Sequence, residues 1–148
     1  MVYLKNYLVI LLLLMTLPLL ATARNDDWRL VWSDEFNTEG RLSPSVWNYE
    51  QGYVRNEEAQ WYQPDNAVCK GGFLVIEARK ERNRQNPLYI PGSNDWRKER
   101  EFIEYTSSSV TTAGKKEFLY GRFEVRARIP VAKGAWPAIW TLGSNMEW

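Results

Sequence analysis

The sequence predicts an all-β protein, a sandwich or jelly roll, on three observations. Apolar and polar residues alternate with period two in several short runs. Turn-forming Gly, Asn and Pro separate those runs. No stretch carries a helical period, and no segment repeats.

The elements follow in chain order. Residues 28–36, "WRLVWSDEF", alternate loosely and predict a strand that meets a polar turn at 37–40, "NTEG". "NAVCKGGFLVIEARKE" predicts a hairpin with a strand at 67–69, a Lys-Gly-Gly turn at 70–72 and a strand at 73–79. Residues 80–102 hold two prolines, a Gly-Ser-Asn-Asp cluster and dense charge, which predicts a long surface loop. The clearest strand is 120–130, "YGRFEVRARIP". There Phe123, Val125, Ala127 and Ile129 point one way, and Arg122, Glu124, Arg126 and Arg128 the other. Pro130 ends it, since proline has no N–H for a ladder. "AIWTLG", 138–143, begins another strand after the Trp136-Pro137 turn.

The first residues carry an address. Lys5 precedes an almost wholly apolar run at 7–20, and Ala21-Thr22-Ala23 gives the small-x-small pattern of signal peptidase. Residues 1–23 therefore read as a signal peptide cleaved before Arg24. As a membrane anchor the run is short against the roughly 20 residues of a bilayer span, and Pro18 interrupts it. No cysteine follows it to take a lipid. The expected destination is secreted or periplasmic, with no membrane attachment after cleavage.

The remaining 125 residues suit one domain. Without Lys5 they hold 18 basic and 18 acidic residues, so they lack the charge excess that phosphate binding needs and point away from nucleic acid. Cys69 is the only cysteine in the sequence, so no internal disulfide forms. Histidine is absent from the sequence, which excludes Ser-His-Asp and Cys-His nucleophilic machinery and imidazole-based zinc sites within it. Acid–base chemistry would fall to carboxylates, lysine or tyrosine.

Glycosidic bonds are cut by paired carboxylates. The candidate pairs are Glu57/Glu58, Glu99/Glu101 and Glu101/Glu104. Neighbours on a strand face opposite ways, which weakens the first pair, and Glu99/Glu101 sit among Arg and Lys as solvated charge. Eight Trp and eight Tyr are more aromatic surface than a small core hides easily, because the indole N–H must be satisfied. Trp136 and Trp140 are either core residues or a flat platform for the C–H faces of sugar rings. Trp61-Tyr62 follows "RNEEAQ", where Asn56, Glu58 and Gln60 offer donors and acceptors for hydroxyls.

Seven blocks in order carry a resemblance: "LVWSDEFN" (30–37), "WNYE" (47–50), "RNEEAQWYQPDNA" (55–67), "GGFLVIEARKE" (71–81), "YTSSSVTT" (105–112), "YGRFEVRARIP" (120–130) and "GAWPAIWTLG" (134–143). Together they resemble the N-terminal part of a glycoside hydrolase family 16 domain of the laminarinase, or endo-β-1,3-glucanase, type. The resemblance implies a concanavalin-like β-jelly-roll sandwich, present here as its N-terminal part, acting on β-glucan polysaccharide and monomeric when full length. In that family a Trp-Pro strand leads into one bearing Glu-x-Asp-x-x-Glu, which supplies nucleophile, assistant and acid/base. The sequence contains no Glu-x-Asp and reaches Trp148 short of where the motif falls. Residues 24–148 are therefore expected to be a catalytic domain truncated before its catalytic motif, inactive alone, with no catalytic residue assigned. The alternative is a non-catalytic carbohydrate-binding jelly-roll module or a pseudogene remnant.

The resemblance also assigns binding residues. Asn56 would bond a sugar on the non-reducing side of the cut, Trp136 and Trp140 would line the cleft, and Glu104 would reach a hydroxyl. Where many relatives place a cleft arginine, this chain has Ser109. No cofactor is required for the chemistry. The family often carries a structural calcium ion, and by resemblance its ligands here are the carbonyls of Glu35 and Gly72 with a carboxylate beyond Trp148. Glu35 also reads as a plain turn residue at a strand end.

Overall fold

The computed structural model describes residues 28–146, so the expected signal peptide at 1–23 lies outside the described residues, as do Glu147 and Trp148. The chain divides into two units, Met1–Ser33 and Asp34–Trp148. Residues 28–33, the described part of the first, form no regular element.

Among the described residues of the second unit every regular element is a strand except one 3-10 turn, Pro64–Asn66. The strands are β1 (Asn48–Tyr49), β2 (Gln60–Tyr62), β3 (Ala67–Lys70), β4 (Phe73–Ile76), β5 (Arg79–Gln85), β6 (Phe102–Ser107) and β7 (Val110–Thr111). The all-β class thus follows the sequence. The strands pair as β1-β7, β2-β6-β5 and β3-β4.

The expected hairpin forms as β3–β4, in the register Ala67↔Ile76 to Lys70↔Phe73, with Lys70 inside the first strand rather than in the turn and the second strand ending at Ile76 rather than Arg79. Its two-residue turn is Gly71-Gly72, with φ of 59° and 75°. Positive φ at both positions is what the twist of a tight hairpin demands, and glycine meets it without Cβ strain. Gly40 joins the edge of β3 through Gly40 N–H to Cys69 O (2.9 Å) and Cys69 N–H to Gly40 O (2.7 Å), so the expected polar turn at 37–40 ends on the hairpin.

Three strand expectations are corrected. Residues 28–36 form no strand. Within the second unit, the Asp34 carboxylate accepts the Phe36 N–H (2.9 Å) and the Trp47 indole N–H (2.8 Å), and Phe36 turns left-handed at φ 53°. A side chain that captures the backbone two residues on competes with a ladder. Residues 120–130 and 138–143 form no strand either. The alternation is present, but a strand also needs a hydrogen-bonded neighbour, and residues 113–146 are exposed throughout with no ladder partner among the described residues.

The expected loop at 80–102 is corrected in its first part. Residues 80–85 belong to β5, antiparallel to β6. Between the pairs Lys80↔Tyr105 and Arg84↔Ile103 the register shifts, and Asn83 is left-handed at φ 54°. The bulge hides the period-two signal, which is why the charged run reads as a loop.

A small aromatic core sits beside the β2-β6-β5 sheet. Tyr53 and Trp61 meet edge to face at 5.4 Å, Trp96 packs on Tyr53 at 5.8 Å, and Ile103 is 1% exposed. Next to it runs a buried polar chain. Gln63 Nε2 donates to Asn66 Oδ1 (2.6 Å), and Asn66 Nδ2 donates to Glu77 O (2.9 Å) and Thr106 Oγ1 (3.1 Å). The Thr106 hydroxyl donates to Glu81 (2.6 Å), and Arg84 donates to Gln63 Oε1 (2.6 Å). Buried polar groups persist only when partnered, so this chain fixes the 3-10 turn, β5 and β6 in one arrangement.

Candidate functional site

The turn "RNEE" connects the segment after β1 to β2. Asn56 and Glu57 are both left-handed, at φ 55° and 53°, and the Glu58 N–H closes the turn on Arg55 O at 3.1 Å. Asparagine tolerates that region better than most residues, so Asn56 stands exposed at a turn tip. The turn's base is anchored by the reciprocal pair Gly52 N–H to Tyr62 O and Tyr62 N–H to Gly52 O, both 2.9 Å.

Around the turn lies a polar and aromatic cluster. Glu58 Oε2 accepts from the Tyr62 hydroxyl and from Gln60 Nε2, each at 2.9 Å, and Gln60 also donates to the Tyr62 oxygen at 2.7 Å. Burial raises the Tyr62 phenol pKa, outweighing the lowering by its Gln60 bond, so the hydroxyl stays protonated and able to donate. Arg55 is ion-paired with Glu50. Burial works against the guanidinium charge, but the Glu50 partner outweighs it and the net pKa is raised. The guanidinium lies 6.0 Å from the Tyr62 ring centroid and 5.5 Å from that of Trp140, within cation–π range.

The structure thus brings Trp140 to the neighbour of Asn56. Trp140 remains 56% exposed. Trp136 is 91% exposed, and no hydrogen bond or ring contact among the described residues joins it to the cluster. Neither indole is sealed in the core. The core tryptophan is Trp61, so in the Trp61-Tyr62 pair Tyr62 alone faces the site. Glu104 is exposed on β6 and lines a shallow depression of about 460 Å³ with Tyr53, Ala59, Arg100, Glu101 and Phe102. Arg100 joins the two places. It donates to Glu57 O and Glu58 O, both at 3.2 Å, and its guanidinium lies 5.2 Å from the Tyr53 ring. Ser109 is half-buried, and its carbonyl accepts the Glu50 N–H at 3.0 Å.

Sequence reasoning missed Arg55 and Arg100. Arg55 adjoins Asn56 in the quoted block, but a residue one position from a candidate gives no orientation. Arg100 sits in a run that reads as solvated charge.

Near the hairpin turn, Asn37 Oδ1 lies 3.6 Å from where a Cβ on Gly72 would stand, and the Glu39 carboxylate accepts the Gly71 N–H at 2.7 Å. Glu35 is exposed nearby in sequence. Calcium takes six to eight oxygens. Among the described residues no group of three or more His, Cys, Asp or Glu side chains gathers to hold a metal.

A family model for beta-glucan synthesis-associated proteins SKN1/KRE6/Sbg1 matches residues 17–146. The chain belongs to this family. The SKN1/KRE6/Sbg1 group is related to glycoside hydrolase family 16, and the resemblance read from the seven sequence blocks stands. The chain is 43% identical over 120 residues to a beta-glucanase of Rhodothermus marinus, covering 78% of this chain and 36% of that protein. It is 38% identical over 126 residues to a glucan endo-1,3-beta-glucosidase of Cryptopygus antarcticus, covering 82% and 41%. Among solved structures it is similar to one described with endo-acting O-glycanases of the human gut microbiota that initiate mucin breakdown. That match has a TM-score of 0.55 at 39% identity and covers 66% of this chain and 35% of the other. This SKN1/KRE6/Sbg1-family chain therefore spans about two-fifths or less of the relatives it matches. The all-β jelly-roll class and the glycosidase kinship hold for the part they share.

Proposed function

We propose that this chain forms the sugar-binding part of a secreted, retaining endo-β-1,3-glucanase. The observation that carries the reading is the pairing of an exposed amide at Asn56 with an open indole at Trp140, bridged by Arg55 and flanked by the Glu58–Gln60–Tyr62 hydrogen bonds. Glucose presents an apolar C–H face and a ring of hydroxyls, and such a surface answers both. The relatives named as beta-glucanase and glucan endo-1,3-beta-glucosidase support a β-glucan substrate. Glu104 and Trp136 extend the same trough in this reading.

A retaining glycosidase needs two carboxyl groups about 5–5.5 Å apart, one as nucleophile and one as acid/base. Residues 1–148 contain no Glu-x-Asp-x-x-Glu, so residues 24–148 bind laminarin without cleaving it. A reducing-sugar assay on laminarin, with affinity electrophoresis in laminarin gels, tests both halves. Turnover by residues 24–148 overturns the inactivity, and migration unchanged by laminarin overturns the binding. Signal cleavage before Arg24 predicts an exported product whose N-terminal sequence starts Arg-Asn-Asp-Asp. Calcium binding through the Glu35 and Gly72 carbonyls, as a structural ion, is tested by calorimetry with Ca²⁺.

The second reading, a carbohydrate-binding module or a pseudogene remnant, is favoured by that same lack of Glu-x-Asp. The coding sequence after codon 148 separates the two. A Glu-x-Asp-x-x-Glu within about a dozen codons supports the enzyme, on the bulged-strand geometry that gathers its carboxylates, and a stop codon supports the module or remnant.

A further inference from the structure

The segment between β5 and β6 is built more tightly than a connecting loop needs to be. Asn86, 4% exposed, organises it from inside. Its amide Nδ2 donates to Arg97 O (3.0 Å) and Arg100 O (2.8 Å), its Oδ1 accepts the Leu88 N–H (2.9 Å), and its N–H donates to Glu101 O (2.9 Å). Asp95 adds a second brace by accepting the Arg97 N–H at 3.0 Å. One buried amide therefore fixes the main chain at both Arg97 and Arg100, and so aims their side chains.

Both guanidinium groups reach the 53–58 turn, although Arg97 also pairs with Asp95 at 3.7 Å and lies 4.6 Å from the Trp96 ring. Arg97 donates to Tyr53 O (3.2 Å) and Val54 O (3.1 Å), and Arg100 to Glu57 O and Glu58 O (3.2 Å each). These four carbonyls flank Asn56 on either side. Trp96, from the same loop, packs on Tyr53. The left-handed pair Asn56-Glu57 is a costly local conformation that persists only when surroundings hold it, and arginine's rigid fork suits two adjacent acceptors where a lysine ammonium gives one point of contact.

We infer that the β5–β6 loop is a positioning clamp, in which Arg97 and Arg100 hold the 53–58 turn so that Asn56 presents its amide to sugar in one fixed orientation. The inference rests on the proposed sugar contact of Asn56. Arg97 and Arg100 act through the turn and need not touch the ligand.

The test uses the full chain at micromolar concentration, with laminarioligosaccharides as the probe. Five forms are compared: wild type, Arg97→Gln with Arg100→Gln, Arg100→Lys alone, Asn56→Gly, and Asn56→Gly added to the double variant. Amide hydrogen exchange reads the turn at Glu58, whose N–H bonds to Arg55 O, against the β3–β4 hairpin as an internal control. The double variant should speed exchange at Glu58 about tenfold with the hairpin unchanged, and weaken oligosaccharide binding about tenfold, as loss of a bond's worth of preorganisation implies. Arg100→Lys, which keeps the charge and gives up the fork, should fall between. Adding Asn56→Gly to the double variant should cost little more, because the two act through one contact. Unchanged exchange at Glu58 in both arginine variants overturns the clamp. Faster exchange with unaltered affinity, while Asn56→Gly still weakens binding, overturns its role in presenting Asn56. If wild type binds no laminarioligosaccharide, the sugar reading itself fails and the positioning role falls with it, whatever exchange shows. If the double variant loses hairpin protection, Arg100→Lys decides.

Discussion

Asn56 carries two properties that one substitution can separate. Its backbone is left-handed, and its amide stands exposed at the turn tip. Glycine adopts φ > 0 freely, whereas alanine pays about 1–2 kcal/mol there. Asn56→Gly should therefore leave the urea midpoint within error and weaken laminarin binding roughly tenfold, while Asn56→Ala should lower both. Binding undiminished in the glycine variant would remove the amide from the site. A second residue-scale effect concerns pH. Burial raises the Tyr53 and Tyr62 phenol pKa values in the folded chain. The folded state holds those protons more tightly than the unfolded state, so their contribution is complete below the ordinary tyrosine value of about 10 and is lost as pH climbs through the raised folded values. Urea midpoints across the alkaline range should fall, and Tyr62→Phe should fall less steeply.

Among the elements, the β3–β4 hairpin was the most legible, because its turn residues and its register are both local information. Gly71 has open space where a Cβ would go, so Gly71→Ala tests conformation without crowding. It should cost about 1–2 kcal/mol in urea unfolding, and Gly71→Asn less, since asparagine visits the left-handed region more readily. Equal losses would mean the turn is not held at φ 59° in solution. β5 was illegible for the opposite reason. Its bulge breaks the alternation, and two of its charges, Glu81 and Arg84, bond Thr106 on β6 and Gln63 just before the 3-10 turn. The β2–β6 pairing is parallel and joins residues more than forty apart, such as Trp61↔Thr106, which no local pattern announces.

At the scale of the molecule, residues 113–146 leave a large apolar surface open. Leu119, Val131 and Trp136 are 86%, 97% and 91% exposed, and Phe123, Val125 and Ile129 all lie above half. Backbone with no ladder partner among the described residues, beside alternating apolar side chains, is a template for association. Purified chain should sediment as concentration-dependent oligomers, and Val125→Lys with Ile129→Lys should shift it towards monomer. A monomeric profile at all concentrations for wild type would show that this face is covered in solution.

Period-two patterning, glycine placement and ordered motif blocks are written locally, and from them alone come the β class, the hairpin, the family, and Asn56 and Trp140 as candidates. It takes the folded chain to show that Trp61 is core while Trp136 and Trp140 are exposed, and that Arg55 lies between the Asn56 turn and Trp140. The fold alone revealed that a charged run reading as loop supplies a strand and two arginines that grip that turn. The physical reason is that a side chain's role depends on what its backbone is fixed against. That fixing is done here by carbonyls and buried amides far away in sequence, which carry no signature of their own.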